Sequence, residues 1–196
     1  TPVHLAFSGA QYDSTRSRLW FVPWDNRYFV YMNVNTGTMG YCPSQVPGTY
    51  IGYRWGNFLQ GDHLWMAPYY RYYSNAIWRL ALSDCTTTLY SSWPAGFGTQ
   101  SYLFTGGAYD GVRYGWLTPY QATHVVRIDT TDGSMTGYDA WPTGYGVSTC
   151  KSWGGTHDGQ RMWLPPVCAN MIVSVDKDTG AMTGYNNWPA PVASYN

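Results

Sequence analysis

The chain has 196 residues, a formal net charge of zero and only 11% charged side chains. This length fits one domain with its own core. The balanced charge provides no basic surface for nucleic acid or anionic lipid, and the longest apolar runs are too short to span a bilayer. Eleven Trp, 19 Tyr, 22 Gly and 12 Pro predict short strands joined by tight turns.

A W-x-x-P tetrad recurs along the chain and predicts four copies of one unit. Its copies are Trp20–Pro23, Trp65–Pro68, Trp116–Pro119 and Trp163–Pro166, and the steps between the tryptophans are 45, 51 and 47 residues. A Trp-Pro pair closes the later copies at Trp93, Trp141 and Trp188, whereas Cys42-Pro43 holds that place in the first. The repeats cover about 1–47, 48–97, 98–145 and 146–191.

The third copy shows how each unit divides into strands. We predict strands at about Ser101–Thr105, Arg113–Thr118, His124–Asp129 and Ser134–Asp139, because Asp-Gly turns separate β-rich runs. Four strands per unit and a period in the forties are typical of a propeller blade. The predicted fold is all-β, a single four-bladed β-propeller of four-stranded antiparallel blades spanning 1–196. The alternative is a fragment of a longer propeller or of a tandem propeller array.

The blade motif also points to known families. The third copy contains D-G-x-x-x-W-L-x-P from Asp110, then Val125–Asp129, then a Met135–Pro142 segment that ends in Trp-Pro. This pattern resembles blades of virginiamycin B lyase-like, NHL-type and kelch-type propellers. Those families usually have six or seven blades, whereas this chain holds four. No residue here matches the catalytic set of the lyase, so the resemblance implies the fold and not the activity.

The cysteines point to an extracellular protein. Their even number, in a turn-rich chain with only two lysines, fits a secreted protein with two disulfides. Four cysteines allow three pairings, and we expect Cys42–Cys85 and Cys150–Cys168 because each pair is nearest in sequence. The chain begins Thr1-Pro2 without an apolar leader, which we expect of a mature product or a fragment.

Repeated tryptophans and aspartates have structural explanations. The W-x-x-P and Trp-Pro tryptophans are expected to pack between blades rather than bind a ligand. Aspartates recur before the second strand at Asp13, Asp62, Asp110 and Asp158, and after the third at Asp129 and Asp176. Asp commonly caps tight turns. The alternative is a ring of acids that holds calcium; no other metal or cofactor is predicted.

One face of the propeller is expected to carry the contact surface. The loops between second and third strands share a face with the loops that join blades. This face is rich in side chains that combine flat apolar surface with a polar tip. The candidate contact residues are Trp24, Arg27, Tyr69, Tyr70, Arg71, Tyr72, Tyr73, Tyr120 and Tyr145.

The C-terminus repeats the start of a blade. Ala190-Pro191-Val192 resembles Thr1-Pro2-Val3, so Val192, Ala193, Ser194, Tyr195 and Asn196 would form an extra first strand. This strand would seal the ring over the first blade, continue into a longer array, or dock on another molecule.

Enzymatic motifs are scarce. The chain contains no Glu, no H-E-x-x-H, no G-x-S-x-G and no glycine-rich phosphate loop. We therefore expect a secreted, non-catalytic structural or adhesive subunit that assembles with itself or with other extracellular proteins, including into a fibre. The alternative is a lectin-like propeller that binds glycans. A third hypothesis, a propeller lyase or hydrolase, rests on fold analogy alone.

Overall fold

Four antiparallel sheets follow one another along the chain. The computed structural model describes residues 6–24, 26–45, 54–72, 75–98, 100–147 and 150–190. The strands of blade 1 are β1 (Phe7–Asp13), β2 (Arg18–Pro23), β3 (Tyr28–Asn33) and β4 (Met39–Gln45). Those of blade 2 are β5 (Arg54–Gln60), β6 (His63–Pro68), β7 (Ile77–Ala81) and β8 (Thr87–Tyr90).

The second half of the chain repeats this arrangement. Blade 3 consists of β9 (Phe104–Tyr109), β10 (Tyr114–Pro119), β11 (Val125–Asp129) and β12 (Met135–Tyr138). Blade 4 consists of β13 (Thr156–His157), β14 (Arg161–Leu164), β15 (Ile172–Asp176) and β16 (Met182–Tyr185). Each sheet pairs its strands in chain order and lies within one predicted repeat, so the predicted four-bladed propeller is confirmed.

The first strand of blade 3 corrects one predicted boundary. We expected it to end at Thr105, but β9 runs through Gly106-Gly107 to Tyr109. A Cβ on Gly106 would lie 2.7 Å from the Cα of Gly154, and one on Gly56 would lie 2.7 Å from the Gly106 carbonyl oxygen. Glycine is therefore part of the innermost strands because neighbouring blades approach there without room for side chains.

Each blade has a front face toward the preceding blade and a back face toward the following one. The front-face side chains of the second and third strands are Leu19, Phe21, Val30 and Met32 in blade 1, Leu64, Met66, Trp78 and Leu80 in blade 2, Leu117, Val126 and Ile128 in blade 3, and Met162, Leu164, Val173 and Val175 in blade 4. The back-face side chains are Trp20 and Phe29, Trp65 and Ile77, Trp116 and Val125, and Trp163 and Ile172.

The core lies between the blades. Trp20 and Phe29 of blade 1 share a buried cluster with Met66, Trp78 and Leu80 of blade 2. The same back-to-front packing joins blade 2 to blade 3 and blade 3 to blade 4. Because each junction buries two apolar faces, hydrophobic burial between blades is the main force that holds the series together.

The W-x-x-P tryptophans do not all share one environment. Trp20, Trp65 and Trp116 are fully buried, as predicted. Trp163 is only partly buried, so the prediction of a core position is wrong for this residue. Its indole lies on the back face of blade 4, and its Nε1 donates a hydrogen bond to Asp158 at 2.7 Å.

The Trp-Pro tryptophans form a second repeated contact. Trp93, Trp141 and Trp188 are partly buried. Their indole Nε1 atoms donate to the backbone carbonyls of Asn75, Thr123 and Asn170 at 3.1, 3.2 and 3.2 Å. These hydrogen bonds tie the segment after the fourth strand to the loop before the third strand of the same blade.

Both disulfides have the predicted pairing. Cys42 in β4 bonds to Cys85 in the turn after β7, with 5.6 Å between their Cα atoms, and so links blade 1 to blade 2. Cys150 bonds to Cys168 in the loop between β14 and β15, with 5.2 Å between their Cα atoms. A crosslink of this kind restricts the unfolded chain and so stabilises the fold.

The repeated aspartates cap turns. Asp13 accepts hydrogen bonds from the backbone N–H groups of Thr15 and Arg16. Asp110 and Asp158 each accept backbone N–H groups in the equivalent hairpins, which confirms the turn-cap prediction for Asp13, Asp110 and Asp158, whereas the Asp62 carboxylate pairs with Arg16. Among the residues with assigned positions, no group of three or more His, Cys or Asp side chains is arranged to hold a metal ion.

Across the described ranges, no helix has the length and apolar character needed to cross a membrane.

The glycine contacts at the propeller axis predict a stability effect. Gly106→Ala should lower the free energy of unfolding by about 1–3 kcal/mol, because the added methyl meets the backbone of blade 4. Gly146→Ala is the matched control, since its Cβ would lie 3.5 Å from Asn170, an ordinary contact. Thermal denaturation checks both variants, and equal melting temperatures would contradict this account of the axis.

Asp129 predicts an acid-dependent loss of stability. Its Oδ2 accepts a 2.7 Å hydrogen bond from Arg113 Nε, and this bond, with further ones from Thr131, lowers the pKa of the carboxyl from 3.8 to about 2. Because the folded-state pKa is depressed, the stabilisation is present above about pH 4 and is lost as the pH falls toward 2.

Asp129→Asn should therefore reduce the free energy of unfolding near neutral pH by about 1 kcal/mol and flatten its dependence below about pH 4. Urea denaturation at several pH values measures this. Asp178→Asn, at an exposed turn, is the control. An unchanged acid slope in Asp129→Asn would refute the assignment.

Candidate functional site

The residue after each repeat proline begins the loop between the second and third strands. In the first three blades it is aromatic, Trp24, Tyr69 and Tyr120, and in the fourth it is Val167. Because equivalent strands end at the same side of a propeller, these residues share the loop face. The fold thus places Trp24, Tyr69 and Tyr120 in a row on one face.

The row continues into one aromatic belt across the four blades, formed by Trp24, Tyr69, Tyr70, Tyr72, Tyr102, Tyr120 and Trp153. The ring of Tyr69 lies 5.6 Å from Trp24, 5.1 Å from Tyr102 and 5.9 Å from Tyr120, measured between centroids. Tyr120 lies 5.6 Å from Trp153 in an edge-to-face arrangement. These separations are those of favourable aromatic pairs.

Tyr70 forms a branch of the belt. Its ring lies 4.9 Å from Tyr102 and 5.4 Å from Tyr72. Tyr72 is 75% exposed, Trp153 43% and Tyr102 37%, while the other belt residues are partly buried. The belt therefore presents aromatic surface to solvent while its inner members pack on one another.

Backbone hydrogen bonds fix the belt in place. The carbonyl oxygen of Tyr69 accepts the N–H of Leu103 at 2.6 Å, and Arg71 donates its N–H to Ser101 at 2.9 Å. One blade further on, the N–H of Lys151 donates to the Tyr120 carbonyl at 2.7 Å. The loops of blades 2 and 3 are therefore each paired with the segment that begins the next blade, which pre-organises this part of the surface.

The belt is aromatic and uncharged in character. Burial raises the pKa of the Tyr69 phenol above its ordinary value, and the nearby Tyr120 and Tyr102 phenols add to the shift. Its hydroxyl therefore stays protonated at neutral pH and can both donate and accept hydrogen bonds. The belt offers apolar ring faces edged by neutral polar groups.

Five of the predicted contact residues meet in this belt, namely Trp24, Tyr69, Tyr70, Tyr72 and Tyr120. Arg27 is exposed in the loop before β3, and Arg71 is partly buried within the loop of blade 2. Tyr73 and the predicted assembly strand, Val192–Asn196, lie outside the described residues.

Tyr145 takes a different position. Its ring stacks on Trp141 at 4.6 Å, with the planes 8° apart, and burial raises the pKa of its phenol. Phe97 stacks on Trp93 in the same way at 4.6 Å in the preceding blade. The structure thus places Tyr145 in a repeated packing contact beside the Trp-Pro segment.

Sequence reasoning missed Tyr102 and Trp153. Both precede an innermost strand, whereas the predicted contact residues come mainly from the loops after the repeat prolines. Trp153 stands immediately before Gly154-Gly155, where the third copy has Thr105 before Gly106-Gly107. This departure from the repeat is the signal that identifies Trp153 as a surface residue.

A shallow pocket of about 280 Å³ lies where the innermost strands converge. Half of its ten lining residues are glycines, and the others are Ser8, Ala10, Gln11, Asn57 and Thr105. The Gln11 side-chain amide donates to the Asn57 side-chain oxygen at 2.7 Å, which joins the first strands of blades 1 and 2. The lining contains no ionisable side chain among the described residues.

Comparisons with solved structures identify other propellers. Virginiamycin B lyase from Staphylococcus aureus superposes with a TM-score of 0.68 at 18% identity, covering 92% of this chain and 55% of that chain. The Cps50 (Swd1) β-propeller domain from Myceliophthora thermophila gives 0.64 at 9% identity, covering 93% and 56%. The extracellular domain of a hybrid two-component system protein from B. thetaiotaomicron gives 0.66 at 14% identity, covering 91% and 22%.

These likenesses establish the propeller fold, and the chain spans about half the length of the first two structures. No protein-family model matches the sequence. No curated protein sequence matches it either.

Proposed function

We propose that the protein is a non-catalytic, extracellular structural or adhesive propeller subunit that binds its partners through the aromatic belt. The belt itself supports this proposal most directly, since aromatic contacts run from Trp24 in blade 1 to Trp153 at the start of blade 4. Tyrosine and tryptophan are enriched where proteins bind, because they bury a large area at low entropic cost.

Pre-organisation favours a binding role. The belt rings pack on one another, and backbone hydrogen bonds hold the loops that carry them. A partner would therefore not have to order these side chains, which reduces the entropic cost of association.

The described polar groups support a non-catalytic role. The axial pocket lacks a group that could serve as general acid or base. His124 is buried, with its Nε2 3.4 Å from Asp139 and its Nδ1 2.7 Å from the Thr123 hydroxyl. The Thr123 hydroxyl also accepts the N–H of Gly98 at 2.9 Å, so Thr123 and His124 join two loops rather than face a substrate.

Two observations support an extracellular location. The chain carries two disulfides, which persist in oxidising compartments. One structural neighbour is named as an extracellular domain.

A lectin-like function is the second candidate. Partly exposed Trp153 beside Tyr120 offers a flat ring of the kind that stacks on a sugar. Four equal sites are not expected, because Val167 replaces the aromatic residue in blade 4. A lyase or hydrolase is supported only by likeness of fold to virginiamycin B lyase.

A retention assay tests the proposal. The probes are microcrystalline cellulose for glycans and collagen-coated wells for extracellular protein. We expect retention on at least one surface, with Tyr102→Ala combined with Trp153→Ala lowering it at least about fivefold, since truncated interface aromatics commonly cost more than 1 kcal/mol. Val112→Ala is the control, because Val112 is 76% exposed at a hairpin on the opposite side.

Retention on collagen favours the adhesive role, and retention on cellulose alone favours the lectin. Loss of retention in Val112→Ala, or equal retention of the belt variant and the wild type, would contradict the belt as the contact surface. Retention on neither surface contradicts the adhesive proposal.

A further inference from the structure

Blade 1 exposes its front face and blade 4 exposes its back face. At the internal junctions, a front face and a back face pack together. The front-face residues of blades 2, 3 and 4 are all at most 2% exposed. Their equivalents in blade 1, Leu19, Phe21, Val30 and Met32, are only partly buried. Among the residues that the structure places, the three core clusters join blades 1 to 2, 2 to 3 and 3 to 4, and none joins blade 4 to blade 1.

The front face of blade 1 is broad and apolar. Beside the four partly buried residues stand Met39, Tyr41 and Tyr12, which are 72%, 61% and 52% exposed. A groove of about 300 Å³ is lined by Val30, Met39 and Tyr41 together with neighbouring residues. An apolar patch of this kind on one face commonly marks an interface.

The back face of blade 4 has the same arrangement as the back faces of blades 2 and 3. Trp163 lies 5.4 Å from Tyr185, just as Trp65 lies 5.3 Å from Tyr90 and Trp116 lies 5.5 Å from Tyr138. In blades 2 and 3 this Trp–Tyr pair sits at a junction, and its tryptophan is fully buried. In blade 4 the tryptophan, the tyrosine and Ile172 are partly buried.

We propose that these two faces bind each other between two copies of the chain, so that two four-bladed units close one ring. Each copy places the front face of its blade 1 on the back face of blade 4 of the other. A head-to-tail contact of this type closes into a ring when its rotation permits.

The likeness of the two exposed faces to the faces of the internal junctions supports a second copy as the occupant. This chain superposes over 92% of its length on 55% of virginiamycin B lyase and on a similar share of the Cps50 domain. The four blades described here match about half of each of these propellers, so two sets of four blades have about the length of a whole one.

Internal junctions specify which residues meet. Trp116 of blade 3 stacks on His157 of blade 4 at 5.9 Å. His157 lies opposite Met162 in blade 4, just as Tyr12 lies opposite Leu19 in blade 1, so Tyr12 is the blade 1 equivalent of His157. By this equivalence Trp163 of one copy stacks on Tyr12 of the other.

Ile172 has an equally specific partner. Val125 of blade 3 clusters with Leu164 and Val173 of blade 4, whose blade 1 equivalents are Phe21 and Val30. Ile172 of one copy therefore packs on Phe21 and Val30 of the other.

This inference rests on the proposed structural role and adds a second copy of the chain as a partner, yet it does not depend on what the aromatic belt binds. The combined variant Tyr102→Ala, Trp153→Ala should keep the dimer mass while it loses retention on cellulose or collagen. The retention assay therefore tests the aromatic belt, and the dimer mass tests the ring, independently of each other.

Light scattering of the purified full chain tests the ring. The wild type should have twice the 22.1 kDa mass of one chain. Val30→Asp and Ile172→Lys should each give the mass of one chain, because each places a charge in both apolar junctions. Mixing the two variants should restore the doubled mass, since one junction then has wild-type faces and the other pairs Asp with Lys.

Leu89→Asp is the matched control. Leu89 is 50% exposed on the outer strand of blade 2. It lies opposite Trp78, just as Tyr41 lies opposite Val30 in blade 1, so Leu89 and Tyr41 hold equivalent positions. This variant should keep the doubled mass. Near-ultraviolet circular dichroism verifies folding, and Met39→Asp replaces Val30→Asp if that variant does not fold.

Several results would overturn the inference. A wild-type mass of 22.1 kDa, or open polymers of rising mass, excludes the closed pair. A dimer that survives Ile172→Lys, or a mixture that stays monomeric, excludes head-to-tail contact. If removal of residues 192–196 abolishes the dimer while both face variants retain it, the C-terminal strand is the connector instead.

Discussion

Packing of one blade's back face on the next blade's front face is the interaction on which the structure depends. Each sheet has four strands that pair with one another in chain order. The buried apolar side chains lie in clusters that each draw on two blades. A single blade therefore lacks a complete core, and every blade is stabilised by its neighbours, as in other repeat architectures.

This constraint explains why the repeat is conspicuous in the sequence and how function attaches to it. Residues at the junctions recur because they meet the same geometry in each blade. The loops that connect the strands lie outside the junctions, and there the copies differ. The aromatic belt forms in this permissive region, partly from a repeated position and partly from residues that only one copy has, such as Tyr102 and Trp153.

The sequence was sufficient to predict the blade fold, the number of blades, both disulfide pairings and the turn-capping aspartates, because each depends on local or repeated chemistry. It was not sufficient to predict the partial exposure of Trp163, since this residue has the same W-x-x-P motif as the fully buried Trp116. The end of β9 was misplaced because Gly106-Gly107 is typical of a turn, whereas here these glycines permit close approach of neighbouring blades at the axis.

The aromatic belt, too, could be predicted only in part from the sequence. The positions after the repeat prolines could be aligned from sequence, and Trp24, Tyr69 and Tyr120 do contact a common surface. Which further rings join them depends on how adjacent loops pair, as when Tyr70 and Tyr102 form an isolated bridge. Such contacts between different copies carry no periodic signal.

Concentration-dependent oxidation of Met39 tests the central claim that an apolar blade face is stable only when another blade covers it. Met39 is 72% exposed in a single chain, whereas Met66 and Met162 are fully buried and serve as internal references. The account predicts that peroxide oxidises Met39 slowly in concentrated protein and rapidly after dilution, while both references stay protected. Rapid oxidation of Met39 at every concentration would show that this face remains open to water and would contradict the account.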